Sequence, residues 1–112
     1  MKTKDSAPVA VTGSSFQAAV LEAPQPVLVE YGAEWCGPCV AVAPVIRDLA
    51  IEYAERLRVA TVDIDAEPEL AARYGVRSVP TVMLLEDGQV RRVLVGARSG
   101  REYREAIDAV LH

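Results

Sequence analysis

The 112-residue chain is poor in the side chains that build most catalytic and metal centres. It holds two cysteines, one histidine, one tryptophan, one phenylalanine and four tyrosines. Two cysteines only three positions apart make no structural disulfide framework, which needs more of them at wider spacings. Zinc needs four ligands, or three and an open position, and here the single histidine is His112 with no second cysteine pair, so a metal is not expected. No apolar run approaches the length of a membrane span. Basic charge is in deficit: 12 Lys and Arg against 16 Asp and Glu leave a net charge of -4. Nucleic acid and anionic membrane surfaces recruit clustered Lys and Arg, so neither is an expected partner. The start, Met1 to Pro8, is polar, and no apolar h-region follows it. A secretory signal is therefore not expected, and the cytoplasm is the expected location.

What is present is an ordinary globular composition, 51% hydrophobic and 25% charged, in a chain long enough for one domain with a core. We expect a flexible tail over residues 1–8 and a single domain over 9–112. Val9 to Thr12 reads as a short strand. Ser14, with Gln17 three residues on, reads as a capping box opening a helix that Pro24 and Pro26 end. Val27-Leu28-Val29, within Pro26–Tyr31, is the near-continuous apolar run of a strand buried on both faces. From about Cys36 to Glu55, Val42, Val45, Ile46, Leu49 and Tyr53 recur at helical spacing, with Pro44 as an expected kink. Val59–Ile64 is a third strand, and Pro68 starts a helix that stops at Gly75. Thr81–Leu85 and Val90–Val95 flank Asp87-Gly88, a hairpin signal. Ser99 and Glu102 cap a last helix through Leu111. The order β-α-β-α-β-α-β-β-α predicts an α/β fold: a mixed central sheet of about five strands with helices on both faces.

Cys36 follows the strand ending at Tyr31 and precedes the long helix. At a helix N-terminus the unpaired N–H groups and the helix dipole favour an anion, so the thiol pKa there falls and the nucleophilic thiolate is populated. Cys39 lies one turn further in, within disulfide reach. These positions point to a redox-active dithiol in which Cys36, the more exposed sulfur, attacks a partner disulfide. Cys39, more buried, then resolves the mixed disulfide. Pro38 suits the first helical turn, and Gly37 leaves the thiolate approachable.

Ala33-Glu34-Trp35-Cys36-Gly37-Pro38-Cys39 resembles the active-site signature of the thioredoxin family. Pro44, Asp63-Ile64-Asp65, Val79-Pro80-Thr81 and Val95-Gly96-Ala97 match further family motifs in order, so the resemblance spans about Val9 to Leu111. It implies the thioredoxin fold, a cis peptide at Pro80, and a backbone-rich apolar platform of Trp35, Gly37, Pro38, Val79, Pro80, Gly96 and Ala97 that receives an extended partner segment. It also implies a protein disulfide reductase with no bound cofactor beyond its dithiol, recharged by a thioredoxin-reductase-like electron donor; a monomer is expected, as nothing in the sequence supports a homodimer. A reductase dedicated to one partner, or a binding or chaperone module with an incidental dithiol, are the competing readings.

Four residues depart from the family's pattern. Glu30 stands where most members have a buried Asp beneath the second cysteine. Thr61 replaces the usual accompanying Lys, Gly32 a large aromatic, and Val40 a Lys that often follows the second cysteine. Buried in an apolar strand, Glu30 should have a raised pKa and accept the proton of Cys39; the alternative is that it turns to the surface. We further expect Glu30 to fill part of the space vacated at position 32.

Overall fold

The computed structural model describes residues 7–111. Residues 1–6 of the expected tail, and His112, lie outside the described residues. The elements are β1 (Val9–Ala10), α1 (Gln17–Leu21, one π-helical turn), β2 (Val27–Gly32), α2 (Gly37–Glu52), β3 (Arg58–Asp63), α3 (Pro68–Arg73), β4 (Thr81–Glu86), β5 (Gln89–Val95) and α4 (Gly100–Leu111). They form one five-stranded sheet in the order β1-β3-β2-β4-β5. β1, β3 and β2 run parallel, while β4 and β5 pair antiparallel.

The central strands earn their place by composition. Val27, Leu28, Val29 and Tyr31 of β2 are buried, as are Val82 to Leu85 of β4. Strands covered on both faces can carry such unbroken apolar runs. Alternate side chains on a strand point to opposite faces, and two cores result. Leu28 packs with Val42, Ile46 and Leu49 of α2 and Ile107 of α4. Val29 and Tyr31 pack on the other face with Phe16, Val20 and Leu70, beneath α1 and α3. Glu30 follows Leu28 by two and so belongs to the α2/α4 face, at the end of β2 that feeds the start of α2. Its neighbours across the sheet are Thr61 on β3 and Val82 on β4.

Most expected boundaries hold within a few residues. The hairpin turns at Asp87 and Gly88, both at positive φ (54° and 77°), the mirror-image turn that suits the twist of two paired strands. Ser99 and Glu102 form the expected reciprocal cap of α4: the Glu102 N–H donates to Ser99 Oγ at 3.1 Å and the Ser99 N–H to Glu102 Oε1 at 3.2 Å. The Ser14–Gln17 box does not form. Thr12 and Ser15 exchange the equivalent bonds, Thr12 N–H to Ser15 Oγ at 2.9 Å and Ser15 N–H to Thr12 Oγ1 at 3.3 Å. The hydroxyl pair two residues upstream has the same spacing and captures the turn first. Pro44 sits inside α2, where its missing N–H leaves the Val40 carbonyl without its usual donor.

Candidate functional site

β2 ends at Gly32, and α2 begins at Gly37, so Cys36 falls on the connection as the N-cap of α2. Its backbone is extended (φ −90°, ψ 109°), which frees its side chain to fold back over the first helical turn. Cys36 Sγ accepts the Cys39 N–H at 3.1 Å. Cys36 and Cys39 are joined as a disulfide, with Cα atoms 5.2 Å apart, inside the range such a bond spans. The sulfur therefore meets one of the orphan amides of the helix N-terminus, where negative charge is stabilised. Gly37 and Pro38 are exposed beside it.

One expectation about this pair is overturned. Cys36 is not the more exposed residue: Cys36 retains 4% of its surface and Cys39 8%. The loop before β4 reaches over Cys36 and brings the Val79 carbonyl oxygen to 3.7 Å from its Sγ. Cys39, for its part, borders an open hollow.

Two of the expected loops meet beside the dithiol. The Val79–Pro80 peptide is cis, and Pro80 is buried. The Gly96 N–H donates to the Pro80 carbonyl at 2.8 Å, which ties the two loops together. Gly96 adopts φ +88°, a region open to glycine at little cost. Thr81 Oγ1 donates to the Ser78 carbonyl at 2.7 Å and closes the base of the Val79-Pro80 loop. Thus Cys36, Val79, Pro80 and Gly96 form a contiguous series, and Ala97 follows it as an exposed residue. Trp35 is 68% exposed, and its Nε1–H donates to Asp65 Oδ2 at 2.7 Å, not to either loop. The motif Asp63-Ile64-Asp65 alone does not reveal this role of Asp65, because its partner Trp35 lies 30 positions away. Asp63 Oδ1 in turn accepts the Asp65 N–H at 2.9 Å and sets that turn.

Glu30 lies half-buried under α2. A Cβ built on Gly32 would come 2.6 Å from Glu30 Oε2 and 3.4 Å from Cys39 Sγ. The carboxylate thus occupies the volume that a side chain at 32 would need, beside the sulfur of Cys39. Burial pushes its pKa up from 4.5 to about 7. Among the described residues no cation pairs with it. Burial also pushes the Tyr103 phenol up, and the Glu30 charge adds to that shift. Around Glu30, Gly32, Cys39, Ala43 and Thr61 opens a mainly apolar hollow of about 250 Å³. Beyond the missing side chain at position 32, nothing in the residue pattern foretells this hollow.

Among the described residues no group of His, Cys, Asp or Glu is placed to hold a metal. No described helix is long and apolar enough to cross a membrane. The arrangement offers a dithiol with one amide-stabilised sulfur, and a carboxyl group titrating near neutrality beside the other.

Known proteins are similar to this chain in sequence and in fold. The thioredoxin family profile matches residues 7–109. A thioredoxin of Pseudomonas aeruginosa is 46% identical over 101 residues, covering 90% of this chain and 94% of that protein. One of Mycobacterium tuberculosis is 46% identical over 96 residues, covering 86% and 83%. Among solved structures, a mutant thioredoxin from Halobacterium salinarum superposes with a TM-score of 0.89 at 31% identity, covering 96% of this chain and 94% of that one.

Proposed function

The chain belongs to the thioredoxin family, and from that premise we propose how its two sulfurs divide the reduction of a partner's disulfide. The protein is a thiol–disulfide oxidoreductase that reduces protein disulfides with its own dithiol and no bound cofactor. Cys36 is the attacking thiol. The observation that carries this assignment is the Cys39 N–H at 3.1 Å from Cys36 Sγ, at the N-cap of α2. Whole-residue exposure does not separate the two cysteines, but only Cys36 has a helix-terminal amide on its sulfur.

In the reduced protein, the Cys36 thiolate attacks one sulfur of the partner disulfide and expels the other as a thiolate. Cys39 then transfers its proton to the Glu30 carboxylate and attacks Cys36 Sγ in the mixed disulfide. That step forms the Cys36–Cys39 bond and releases the partner's second sulfur as a thiolate. Two electrons pass to the partner, and Glu30 returns its proton to solvent or to the leaving sulfur. A carboxyl pKa near 7 suits a proton acceptor at neutral pH. The exposed Trp35, Gly37, Pro38 and Ala97, with the backbone of Val79-Pro80 and Gly96, receive the partner as an extended segment. We assign the electron supply to a thioredoxin-reductase-like enzyme, and place the protein in the cytoplasm as a monomer.

Cys39→Ser blocks resolution and should leave partners attached to Cys36 as mixed disulfides, which mass spectrometry identifies. Many attached proteins support a general reductase, a single one a dedicated reductase. No adduct on Cys36 sinks the assignment of roles.

A further inference from the structure

Glu30, Gly32, Val40 and Thr61, the four positions at which the chain departs from its family's common pattern, all line one hollow, with Ala33 and Ala43 beside them. The lining is mainly apolar and open to solvent. Val40 is 63% exposed, so its methyl groups forgo the stabilisation that burial would bring. The rim carries the exposed carboxylates of Glu34 and Asp63, and no Lys or Arg lines it. At about 250 Å³ the hollow has room for a single side chain.

The hollow continues the surface on which the partner segment is received. Ala33 and Glu34 run directly into Trp35 and Cys36, and Val40 stands one turn along α2 from the exposed Gly37, a neighbour on the same helix face. The rim is also tied to the tryptophan. Asp63 Oδ1 accepts the Asp65 N–H at 2.9 Å, and Asp65 Oδ2 accepts the Trp35 Nε1–H at 2.7 Å. One hydrogen-bonded unit thus joins hollow and platform. An extended segment advances about 3.3 Å per residue, so a side chain about two to four residues from the cysteine of a partner held on Cys36 comes within reach. We propose that the hollow receives one large apolar side chain, aromatic or branched aliphatic, from the partner protein bound at the dithiol, with a Lys or Arg of the same segment meeting Glu34 and Asp63. This rests on the reading of Cys36 as the sulfur that joins the partner.

Burial of the partner's side chain against Ala33, Val40 and Ala43 supplies affinity, and the two carboxylates select the charge beside it. The backbone of Val79-Pro80 and Gly96 reads an extended chain whatever its side chains. The hollow adds a preference among sequences: partners with an apolar-basic pair near the reactive cysteine are reduced ahead of others. It acts on binding alone. The bonds made and broken at Cys36 and Cys39 are the same for every partner, so the preference belongs in KM and not in kcat.

The test uses the reduced full-length protein with disulfide-linked dimers of short Gly-Ser peptides, each holding a central cysteine. A Phe-Lys pair is moved through about four positions on either side of that cysteine, with Ala-Lys and Phe-Glu pairs as controls. At one placement the Phe-Lys peptide should have a KM about fivefold below its Ala-Lys counterpart and about threefold below Phe-Glu, with kcat equal. Salt should close the second gap and leave the first. Val40→Ser should bring the Phe/Ala ratio close to one, and Glu34→Gln combined with Asp63→Asn should do the same for Lys/Glu. In the Cys39→Ser protein joined through Cys36 to the favoured peptide, the ring should shift the methyl NMR resonances of Val40 and Ala43. Shifts confined to Val93 or Val95 would seat the ring on β5 and overturn the proposal. So would equal KM values at every placement, or a Phe-Glu peptide that binds as well as Phe-Lys. Peptides that join Cys36 without any side-chain preference defeat the hollow and leave the division of roles standing; failure of every peptide to join Cys36 defeats both.

Discussion

The two sides of the Cys36–Cys39 disulfide are built on different principles. On the outer side polar groups are paired in short hydrogen bonds: Gly96 N–H to Pro80 O at 2.8 Å, Thr81 Oγ1 to Ser78 O at 2.7 Å, Trp35 Nε1 to Asp65 Oδ2 at 2.7 Å. That side is mostly backbone, and a partner chain can add to it without regard to sequence. On the inner side a carboxyl group sits half-buried against Cys39, with no cation among the described residues to hold its charge. A satisfied surface recognises. A half-buried carboxyl with no ion-pair partner is ready to exchange a proton, and it costs stability whenever it ionises. The contrast can be broken from either side, and the sizes of the effects say which side carries chemistry.

Removing the outer sulfur should have the largest effect. Cys36→Ser should lower the rate of insulin reduction by at least about a thousandfold, because the remaining Cys39 thiol has no helix-terminal amide on its sulfur and no second thiol to resolve a mixed disulfide. The folded stability of the dithiol protein should hardly change, which thermal unfolding under reducing conditions would check. Glu30→Gln is the matching change on the inner side. It should leave formation of the mixed disulfide intact but slow its resolution about ten- to a hundredfold near pH 7. In the unaltered protein resolution should speed up as pH rises through about 7; in Glu30→Gln that rise should vanish.

The same carboxyl makes a prediction about stability, of opposite sense to its role in rate. Its folded-state pKa of about 7 stands above the ordinary 4.5. Between those values the folded state binds more protons than the unfolded one, so unfolding free energy falls as pH rises. Stability is full below pH 4.5 and is lost as pH passes 7. Discounted for partial exposure, the loss is about 1–2 kcal/mol. Glu30→Gln should therefore be more stable than the parent at pH 8 by about that amount, measured by urea unfolding. Equal stability of the two at pH 8 would show that the carboxyl ionises in the fold at no cost.

How much of this was legible in the sequence follows the same division. Signals carried by neighbouring residues were readable: the apolar run Val27–Val29, the Asp87-Gly88 turn, the Ser99–Glu102 cap, and the placement of Cys36 at a helix start. Glu30 was readable too, because an acid in an apolar run has few outcomes, and the structure places its carboxylate in the space left at Gly32. What escaped were features made by residues distant in the chain. The burial of Cys36 depends on Val79, 43 positions away, and the Trp35 anchor on Asp65, 30 positions away. The hollow is lined by residues of β2, α2 and β3 that meet only in the fold, among them Glu30, Ala43 and Thr61. Where two local signals competed, as Ser14–Gln17 and Thr12–Ser15 did, spacing alone could not choose between them.

Gly32→Ala tests whether the inner side depends on the exact seat of the carboxyl. The new Cβ would lie 2.6 Å from Glu30 Oε2, too close for both to stay. The carboxylate is the far end of a flexible side chain, so it should swing outward rather than the strand move. Its pKa should then fall back toward 4.5, which carboxyl NMR titration reads directly. Resolution should slow about fivefold, with its pH dependence shifted to acid. An unchanged titration would mean that burial by α2, and not the seat at Gly32, raises the pKa.

The smallest effect should come from the outer side. Asp65→Ala removes the acceptor of the Trp35 Nε1–H bond. Trp35 is 68% exposed, so water replaces the lost partner, and the cost to stability should stay below about 1 kcal/mol. The indole gains rotational freedom, and KM for a protein disulfide should rise by no more than about twofold, with kcat unchanged. Steady-state kinetics with insulin separates the two constants. A fall in kcat would mean that the tryptophan holds the dithiol itself in place, and the outer side would then share in the chemistry assigned here to the inner one.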